Sequence, residues 1–222
     1  MLSCRGVGRT YQTDRGPVDA VRRIDLEAPD GRFVAVIGRS GSGKSTLMAM
    51  IGGLIRPTIG SILIDGVDIW ALDDNAMARF RNRRIGYVFQ FASLLPTLRA
   101  IDNVALPALL DRRHAAAEAY DRAAQLLADV ELGTHLDAYP SEMSAGEQRR
   151  AVIARALIND PILLLADEPT SDLDEQTERE IMALFLSVNR ERGTTLMLVT
   201  HNLALASEAE QVVQIADGAI VP

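Results

Sequence analysis

Residues 38–45 form a short segment whose residue types are suited to binding an anion, reading G-R-S-G-S-G-K-S. Its glycines allow backbone N–H groups to converge, because no Cβ atom blocks a tight loop. The run 44–51 that follows is compatible with a helix, and a helix N-terminus carries a positive partial charge. Together these features predict a loop that cradles phosphate oxygens.

Lys44 and Ser45 give this loop its chemical specificity. A lysine at this offset reaches the terminal phosphates of a nucleotide, and a serine hydroxyl is a hard oxygen ligand for Mg²⁺. A merely flexible glycine–serine loop would not explain this pair at the start of a helix. The residues expected to bind the nucleotide here are Gly38, Arg39, Ser40, Gly41, Ser42, Gly43, Lys44, Ser45 and Thr46.

Two acids follow the short apolar run 162–166. Asp167 is expected just past a buried strand, where its carboxylate would hold Mg²⁺ through water. Glu168 comes next and is placed to polarise an attacking water as a general base. The alternative is that both acids merely terminate a strand before Pro169, and the phosphate loop makes that the weaker explanation. The residues alone therefore predict hydrolysis of ATP or GTP.

The apolar pattern predicts the elements that must position these groups. Strands are expected at 18–26, 33–37, 60–65, 67–69, 85–89, 162–166, 196–199, 211–215 and 219–221, and helices at 44–51, 73–84, 115–130 and 175–191. The middle of the chain, 97–156, reads as mainly helical with no strand of its own. Strands separated by helices indicate an α/β fold with a parallel sheet.

Composition limits the classes of protein that fit. The 222 residues are 48% hydrophobic and 24% charged, which is typical of a globular chain and not of a disordered or rod-like one. The formal net charge of -7 gives no overall attraction to nucleic acid or anionic lipid. Cys4 is the single cysteine, so the sequence excludes an intramolecular disulfide and a cysteine-rich metal site. No apolar run approaches the roughly 20 residues that span a bilayer.

The segment 139–148 reads Y-P-S-E-M-S-A-G-E-Q and precedes a helix-compatible run. It resembles the signature motif of ATP-binding-cassette (ABC) ATPases, usually L-S-G-G-Q or L-S-G-G-E. Ser144 and Glu147 also have the spacing of a capping box, a helix start that can receive an anion. In this family that anion is the γ-phosphate of ATP held by the other subunit. The resemblance therefore implies a head-to-tail dimer around two ATP molecules, contacted by Ser144, Gly146 and Glu147.

Four further positions match the same family in order, over residues 11–201. Tyr11 matches the aromatic residue that stacks on adenine. Gln90 matches a glutamine that binds Mg²⁺ and senses the γ-phosphate. Asp174 matches a residue that acts across the dimer, and His201 matches a histidine that contacts the γ-phosphate. Each has an ordinary structural explanation by itself, but their joint order indicates the family.

The stretches 88–90, 94–97 and 103–104 indicate one subfamily of ABC ATPases. They resemble the subfamily of lipoprotein-release, macrolide-export and cell-division ABC ATPases. Two residues depart from the usual signature. Met143 stands in place of leucine, a change that conserves volume. Ala145 replaces the first glycine, and its methyl group is expected to hinder the approach of backbone to phosphate.

The resemblance implies an α/β fold with a RecA-like P-loop NTPase core, an antiparallel β subdomain and a helical ABC subdomain. Residues 1–90 and 157–222 would form the nucleotide-binding core with its β subdomain, and residues 91–156 the helical subdomain. The implied activity is ATP hydrolysis with Mg²⁺, by a homodimer that drives separate transmembrane permease subunits. The expected location is cytoplasmic, peripheral on the inner face of the cell membrane.

Two other functions stay open. A regulatory ABC ATPase would signal through a membrane protein without moving a substrate. A nucleic-acid-linked ABC ATPase is less well supported, because such proteins usually carry a coiled-coil insertion, a zinc motif or a second cassette. A cluster of four arginines is expected to form a solvated helix face and not a phosphate or nucleic-acid contact. The reason is that Phe80 is the one aromatic residue among them that could stack on a base. This cluster comprises Arg79, Arg81, Arg83 and Arg84.

Overall fold

The structure, a computed structural model, describes residues 1–111, 113 and 115–221. Its strands are β1 (Leu2–Thr13), β2 (Gly16–Ala28), β3 (Phe33–Ile37), β4 (Ile59–Ile64), β5 (Val67–Asp68), β6 (Ile85–Val88), β7 (Leu163–Asp167), β8 (Thr195–Val199), β9 (Gln211–Ala216) and β10 (Ala219–Val221). Its helices are α1 (Lys44–Ile51), α2 (Asp74–Arg84), α3 (Ala100–Asp111), α4 (Ala116–Asp129), α5 (Ala145–Leu157), α6 (Glu175–Arg192) and α7 (Leu203–Ala206). Short 3₁₀ turns cover Ile69–Ala71 and Pro140–Glu142.

One six-stranded sheet aligns the loops that carry the candidate site. Its order is β10-β9-β3-β8-β7-β6, with β9, β3, β8, β7 and β6 parallel and β10 antiparallel beside β9. Val199 pairs with both Val36 and Asp167, and Val88 pairs with Ala166. The chain therefore leaves β3, β6, β7 and β8 at one edge of the sheet. The predicted α/β class is confirmed.

The parallel strands are buried because their side chains alternate between two apolar cores. In β3, Phe33 and Ala35 face the core formed with α3 to α6. Val34 and Val36 face the opposite core, formed with α1 and the second sheet. Packing on both faces fixes the strand ends and hence the loops that follow them.

The second sheet is antiparallel, in the order β2-β1-β4-β5. β4 and β5 form the hairpin expected around residues 65–66, with Leu63 opposite Asp68. In the longer pair, Tyr11 of β1 lies opposite Val18 of β2. This sheet packs against the core beneath α1 and so borders the phosphate loop.

Helices fill the segment between β6 and β7, as expected from the middle of the sequence. The described residues there form α3, α4 and α5 and no strand. The exact subdomain boundaries at 91 and 156 stay a prediction. None of the described helices combines the length and apolar character needed to cross a bilayer.

Several predicted strand ends differ from the structure by one or two residues, and β1 was not among the predicted strands. Three of these ends have a local reason. Phe89 lies outside β6 and is 38% exposed, and its ring stacks on Tyr87 at a centroid distance of 4.2 Å. Asp167 is the last residue of β7 and not the residue after it, because it pairs with Val199. Ile69 begins a 3₁₀ turn, because the Asp68 side chain accepts the Trp70 N–H at 3.1 Å.

The basic cluster on α2 is solvated only in part. Arg81 Nη1 donates to the Gly53 carbonyl at 2.8 Å, and Arg83 Nε donates to Asp111 at 2.7 Å. Arg79 and Arg84 are exposed. Two of these arginines therefore fasten α2 to its neighbours, and two face solvent.

Candidate active site

The loop between β3 and α1 depends on glycines in the left-handed region. A Cβ atom at Gly43 (φ 105°) would lie 2.2 Å from the Ala20 carbonyl oxygen. A Cβ atom at Gly38 (φ 153°) would lie 2.2 Å from the Ile215 carbonyl oxygen. α1 starts after Gly43 without a side-chain cap, so its first N–H groups are available to an anion.

Lys44 lies over this loop with only 5% of its surface exposed. Its Nζ donates to the carbonyl oxygens of Gly38 at 2.9 Å and Arg39 at 3.0 Å. The same atom lies 3.9 Å from Glu168 Oε1. A single ammonium group thus stands between the phosphate loop and the proposed general base.

Asp167 and Ser45 provide the oxygen atoms suited to a hard cation. Burial raises the pKa of Asp167 above its ordinary value, and a hydrogen bond from Ser45 opposes that rise. Asp167 Oδ1 is buried without a hydrogen-bond partner. A carboxylate oxygen of this kind beside a serine hydroxyl fits Mg²⁺ that also binds nucleotide phosphates. Such a site does not need three acidic or His ligands, and the described residues contain no cluster of that kind.

Glu168 has a strained backbone that sets the direction of its side chain. Its φ is +46°, a left-handed value that is costly for a residue with a Cβ atom. Its N–H donates to the Val199 carbonyl at 3.0 Å, which ties it to β8. Glu168 Oε2 lies 3.9 Å from His201 Nδ1. The carboxylate therefore lies between Lys44 and His201.

His201 follows β8, and its side chain is 68% exposed. The next residue, Asn202, caps α7 by accepting the N–H groups of Ala204 and Leu205. The Asn202 N–H in turn donates to the Thr200 hydroxyl at 3.0 Å. These bonds fix the backbone on both sides of an accessible imidazole.

Gln90 and Tyr11 belong to the parts of the chain that form different sheets. Gln90 is exposed in the loop after β6, the strand that neighbours β7. Tyr11 lies opposite Val18, two residues along β2 from the Ala20 carbonyl beside Gly43. The Arg9 guanidinium lies 4.7 Å from the centroid of the Tyr11 ring. One face of the Tyr11 ring is thereby covered by a cation.

The signature segment starts α5 with the expected capping box. Ser144 N–H donates to Glu147 Oε2 at 2.7 Å, and Glu147 N–H donates to Ser144 Oγ at 3.3 Å. A Cβ atom at Gly146 would lie 2.8 Å from Thr177 Cγ2. Asp174 caps α6 by accepting the Thr177 N–H at 3.0 Å, and the hydrogen bonds from Thr177 lower the pKa of Asp174.

The structure brings Asp174 beside the signature segment and Glu168 beside the phosphate loop. Within the described ranges, no hydrogen bond or ion pair joins residues 144–147 to residues 38–46. The start of α5 and the phosphate loop are therefore not joined by these polar contacts.

A family model described as "ABC transporter" matches residues 21–171, which is more than half of the chain. This chain belongs to the ABC transporter family. The resemblance expected from the signature segment is confirmed.

Two curated relatives of this ABC cassette cover its whole length. It is 42% identical over 100% of its residues to the lipoprotein-releasing system ATP-binding protein LolD of Syntrophus aciditrophicus, and covers 99% of that protein. It is 43% identical over 100% of its residues to the macrolide export ATP-binding/permease protein MacB of Syntrophobacter fumaroxidans. The chain spans 31% of that longer protein.

The fold of this ABC cassette also matches a solved dimer. That structure is described as a dimeric post-hydrolysis state of the ATP-binding cassette MJ0796 bound to ADP and Pi. The match has a TM-score of 0.93 and 37% identity, and covers 100% of this chain and 97% of the other. The chain is an ABC ATPase, and the predicted ATP-hydrolysing activity is confirmed at the level of the family.

Sequence reasoning did not single out Arg149, although the structure buries it between loops of the ABC cassette. The signal that could have identified Arg149 is its spacing from the apolar residues of the same helix. Arg149 shares one face of α5 with Val152 and Ile153, both buried, at the i, i+3 and i+4 positions. A charged residue on an apolar helix face indicates a specific partner.

Proposed function

We propose that two copies of this chain sandwich two ATP molecules and hydrolyse them to drive separate membrane subunits. One observation supports the sandwich above all. The phosphate loop meets Asp167 and Glu168 within a copy, whereas the capped signature helix starts elsewhere on that copy. A second copy placed head to tail would bring its residues 144–147 to the phosphates that residues 38–46 hold.

Nucleotide binding begins with groups that are already positioned. The first N–H groups of α1 and the Lys44 ammonium would receive the phosphates, and Tyr11 would stack on adenine. Ser45, Asp167 and Gln90 would hold Mg²⁺, which supplies charge neutralisation for the phosphate oxygens. The unpartnered Asp167 Oδ1 supports this assignment.

Hydrolysis would use the carboxylate of Glu168. Its Oε atom takes a proton from water while the water oxygen bonds to the γ-phosphorus, and the bond to the β–γ bridging oxygen breaks to give ADP and phosphate. His201 would donate to a γ-phosphate oxygen from its exposed position 3.9 Å from Glu168. The left-handed backbone at Glu168 fixes the approach direction of the base.

A cysteine cross-link tests the head-to-tail sandwich directly. Cys4 is the only cysteine and is buried, so new surface cysteines report with little background. One copy carries Ser40→Cys and the other Ala145→Cys, both in a Glu168→Gln background. Under mild oxidation with Mg²⁺–ATP we expect a disulfide-linked dimer only when the two variants are mixed.

The controls decide between this arrangement and others. ADP in place of ATP should yield little cross-link, and each variant oxidised alone should yield little as well. A cross-link of equal yield without nucleotide, or none in the mixture, would contradict the proposed sandwich.

Membrane subunits would dock in a groove of about 610 Å³. Its lining includes Phe89, Leu106 and Leu110 between α2, α3 and α5, and Leu110 is 70% exposed. Phe91, which follows Gln90 in the chain, is 74% exposed and would add a second exposed aromatic side chain for the partner. An apolar patch that adjoins the γ-phosphate sensor is suited to receive a partner whose position depends on ATP. The cassette would then lie peripherally on the cytoplasmic face of the membrane.

Purification of the Glu168→Gln variant from solubilised membranes tests the partner. We expect a membrane protein to co-purify in the presence of ATP. Movement of a lipoprotein or macrolide-like substrate by the reconstituted complex would support export, in line with the names of LolD and MacB. ATPase activity coupled to a partner without any cargo would favour the regulatory function, and stimulation by nucleic acid would contradict both.

Replacing the alanine of the signature segment is expected to change the ATPase rate modestly. Ala145 is exposed at the first position of α5. We expect Ala145→Gly to raise the ATPase rate, because loss of the methyl group lets an N–H approach the partner's γ-phosphate. One improved hydrogen bond is worth about 0.5–1.5 kcal/mol, or roughly 2- to 12-fold in rate. Ala145→Ser keeps the Cβ atom and serves as the control, and equal rates for all three proteins would argue against steric hindrance.

A further inference from the structure

Arg149 is the bulkiest of the fully buried side chains in the described part of the chain, with 2% of its surface exposed. It lies on α5, whose first turn is the signature segment. A guanidinium is charged at any pH that a folded protein meets, and burying it is costly unless it is paired. The hydrogen-bond partners of Arg149 therefore indicate its role.

The Arg149 guanidinium binds two loops at once. Nη1 donates to the Phe89 carbonyl at 2.7 Å, and Nη2 donates to the Gln90 carbonyl at 2.7 Å. Nη2 also donates to Asp172 Oδ1 at 3.0 Å. One side chain of the signature helix thus contacts the backbone of the γ-phosphate sensor and the segment that leads from Glu168 to Asp174.

Folding stability does not explain this charge well. Burial lowers the pKa of Arg149, and the Asp172 carboxylate opposes that effect. Asp172 is 53% exposed, so the ion pair is compensated by a partner that water still reaches. Arg149 Nε is buried with no partner at all. An apolar side chain of similar volume would fill this position without the desolvation cost, so the loops it joins are the better explanation.

We propose that Arg149 is a positioning residue that couples the γ-phosphate site of one copy to the signature segment of the same copy. This inference rests on the proposed function. When Gln90 engages the nucleotide, a shift of its backbone carbonyl displaces Arg149 and with it the start of α5. The bond to Asp172 carries the Asp174 segment along, so the surfaces that meet the second copy form together.

The test replaces Arg149 by methionine in the Glu168→Gln background. We expect the ATP concentration for half-maximal dimerisation to rise about tenfold, a usual size for coupling between sites. Affinity for a fluorescent ADP analogue and the unfolding temperature should stay near those of the parent, because neither depends on the γ-phosphate. Arg149→Gln keeps neutral donors for the two carbonyls and should recover part of the loss.

Arg150→Met is the matched control. Arg150 is the next residue of α5 but pairs with Glu131 at 3.2 Å and Glu180 at 2.7 Å, away from the Gln90 loop. Its dimerisation curve should follow the parent. Unchanged ATP-driven dimerisation in Arg149→Met would overturn the proposal. So would a joint fall of ADP affinity and unfolding temperature in both Arg149 variants, which is the mark of a purely structural role.

Asp172→Asn decides the matter if Arg149→Met does not fold, because Asp172 is half exposed. A shift of dimerisation in the same direction supports the coupling, and no shift overturns it. If the Glu168→Gln parent itself stays monomeric with ATP, the proposed sandwich fails, which is a different result from a parent and variants that dimerise alike.

Discussion

Glu168→Gln is expected to lower the steady-state ATPase rate by about 10²–10⁴-fold while ATP still binds. The amide keeps the size and hydrogen-bonding reach of the side chain but cannot take a proton from water. Lys44, Ser45 and Asp167 are untouched, so the groups that would hold the phosphates and Mg²⁺ remain. ATP that binds but is not cleaved should accumulate in the closed dimer.

Light scattering after size-exclusion chromatography measures this accumulation. The variant should run at twice the monomer mass of 24.1 kDa with Mg²⁺–ATP and at the monomer mass with ADP. Glu191→Gln, an exposed change on α6, is the control and should turn over ATP like the unmodified chain. A Glu168→Gln protein that hydrolyses ATP at the normal rate would remove Glu168 from the role of general base.

The ATP affinity of Glu168→Gln should also stay unchanged, because the substitution leaves His201 in place. His201 lies 3.9 Å from Glu168, and an amide at 168 leaves the imidazole in place. A mutation that lowers the rate without changing the affinity removes an interaction made only in the transition state. An unchanged ATP affinity in Glu168→Gln is therefore part of the same expectation.

The sequence predicted the parts of the fold that depend on local pattern. The predicted runs 33–37, 162–166 and 196–199 are wholly apolar, because both faces of a central parallel sheet are covered, and they became most of β3, β7 and β8. The capping box at Ser144 follows from two residues three positions apart. Such signals reside in neighbouring residues and need no knowledge of the tertiary structure.

Contacts between distant residues lay beyond that pattern. Arg149 and the Phe89 carbonyl are 60 positions apart, and neither residue type indicates the other. The left-handed backbone of Glu168 follows from its bond to Val199 on the next strand and not from its own preference. Phe89 was placed in a strand because it is apolar, whereas its stacking on Tyr87 outside the sheet depends on the loop that follows.

Lys44→Ala is the second change with a large expected effect, and it acts on binding. Lys44 is the only lysine among 222 residues, and only 5% of its surface is exposed at the phosphate loop. Two charge-assisted hydrogen bonds of about 1.5–3 kcal/mol each would be lost to the phosphates. The Kd for Mg²⁺–ATP should therefore rise by at least roughly 100-fold, with little dimerisation at millimolar ATP.

Calorimetric titration of Mg²⁺–ATP into the unmodified chain and into Lys44→Ala measures the Kd of each protein. Thermal unfolding checks that the variant folds. Lys44→Arg is the informative companion, because a planar guanidinium is bulkier than the ammonium at a nearly closed position and should restore little affinity. The uniqueness of this lysine allows a second readout on the unmodified chain. Because Lys44 is 5% exposed, an amine-reactive label should modify it more slowly than the N-terminus, and ATP should slow the labelling of Lys44 alone. Labelling of Lys44 at the same rate with and without ATP, or a Kd within threefold of normal in Lys44→Ala, would place the phosphates elsewhere.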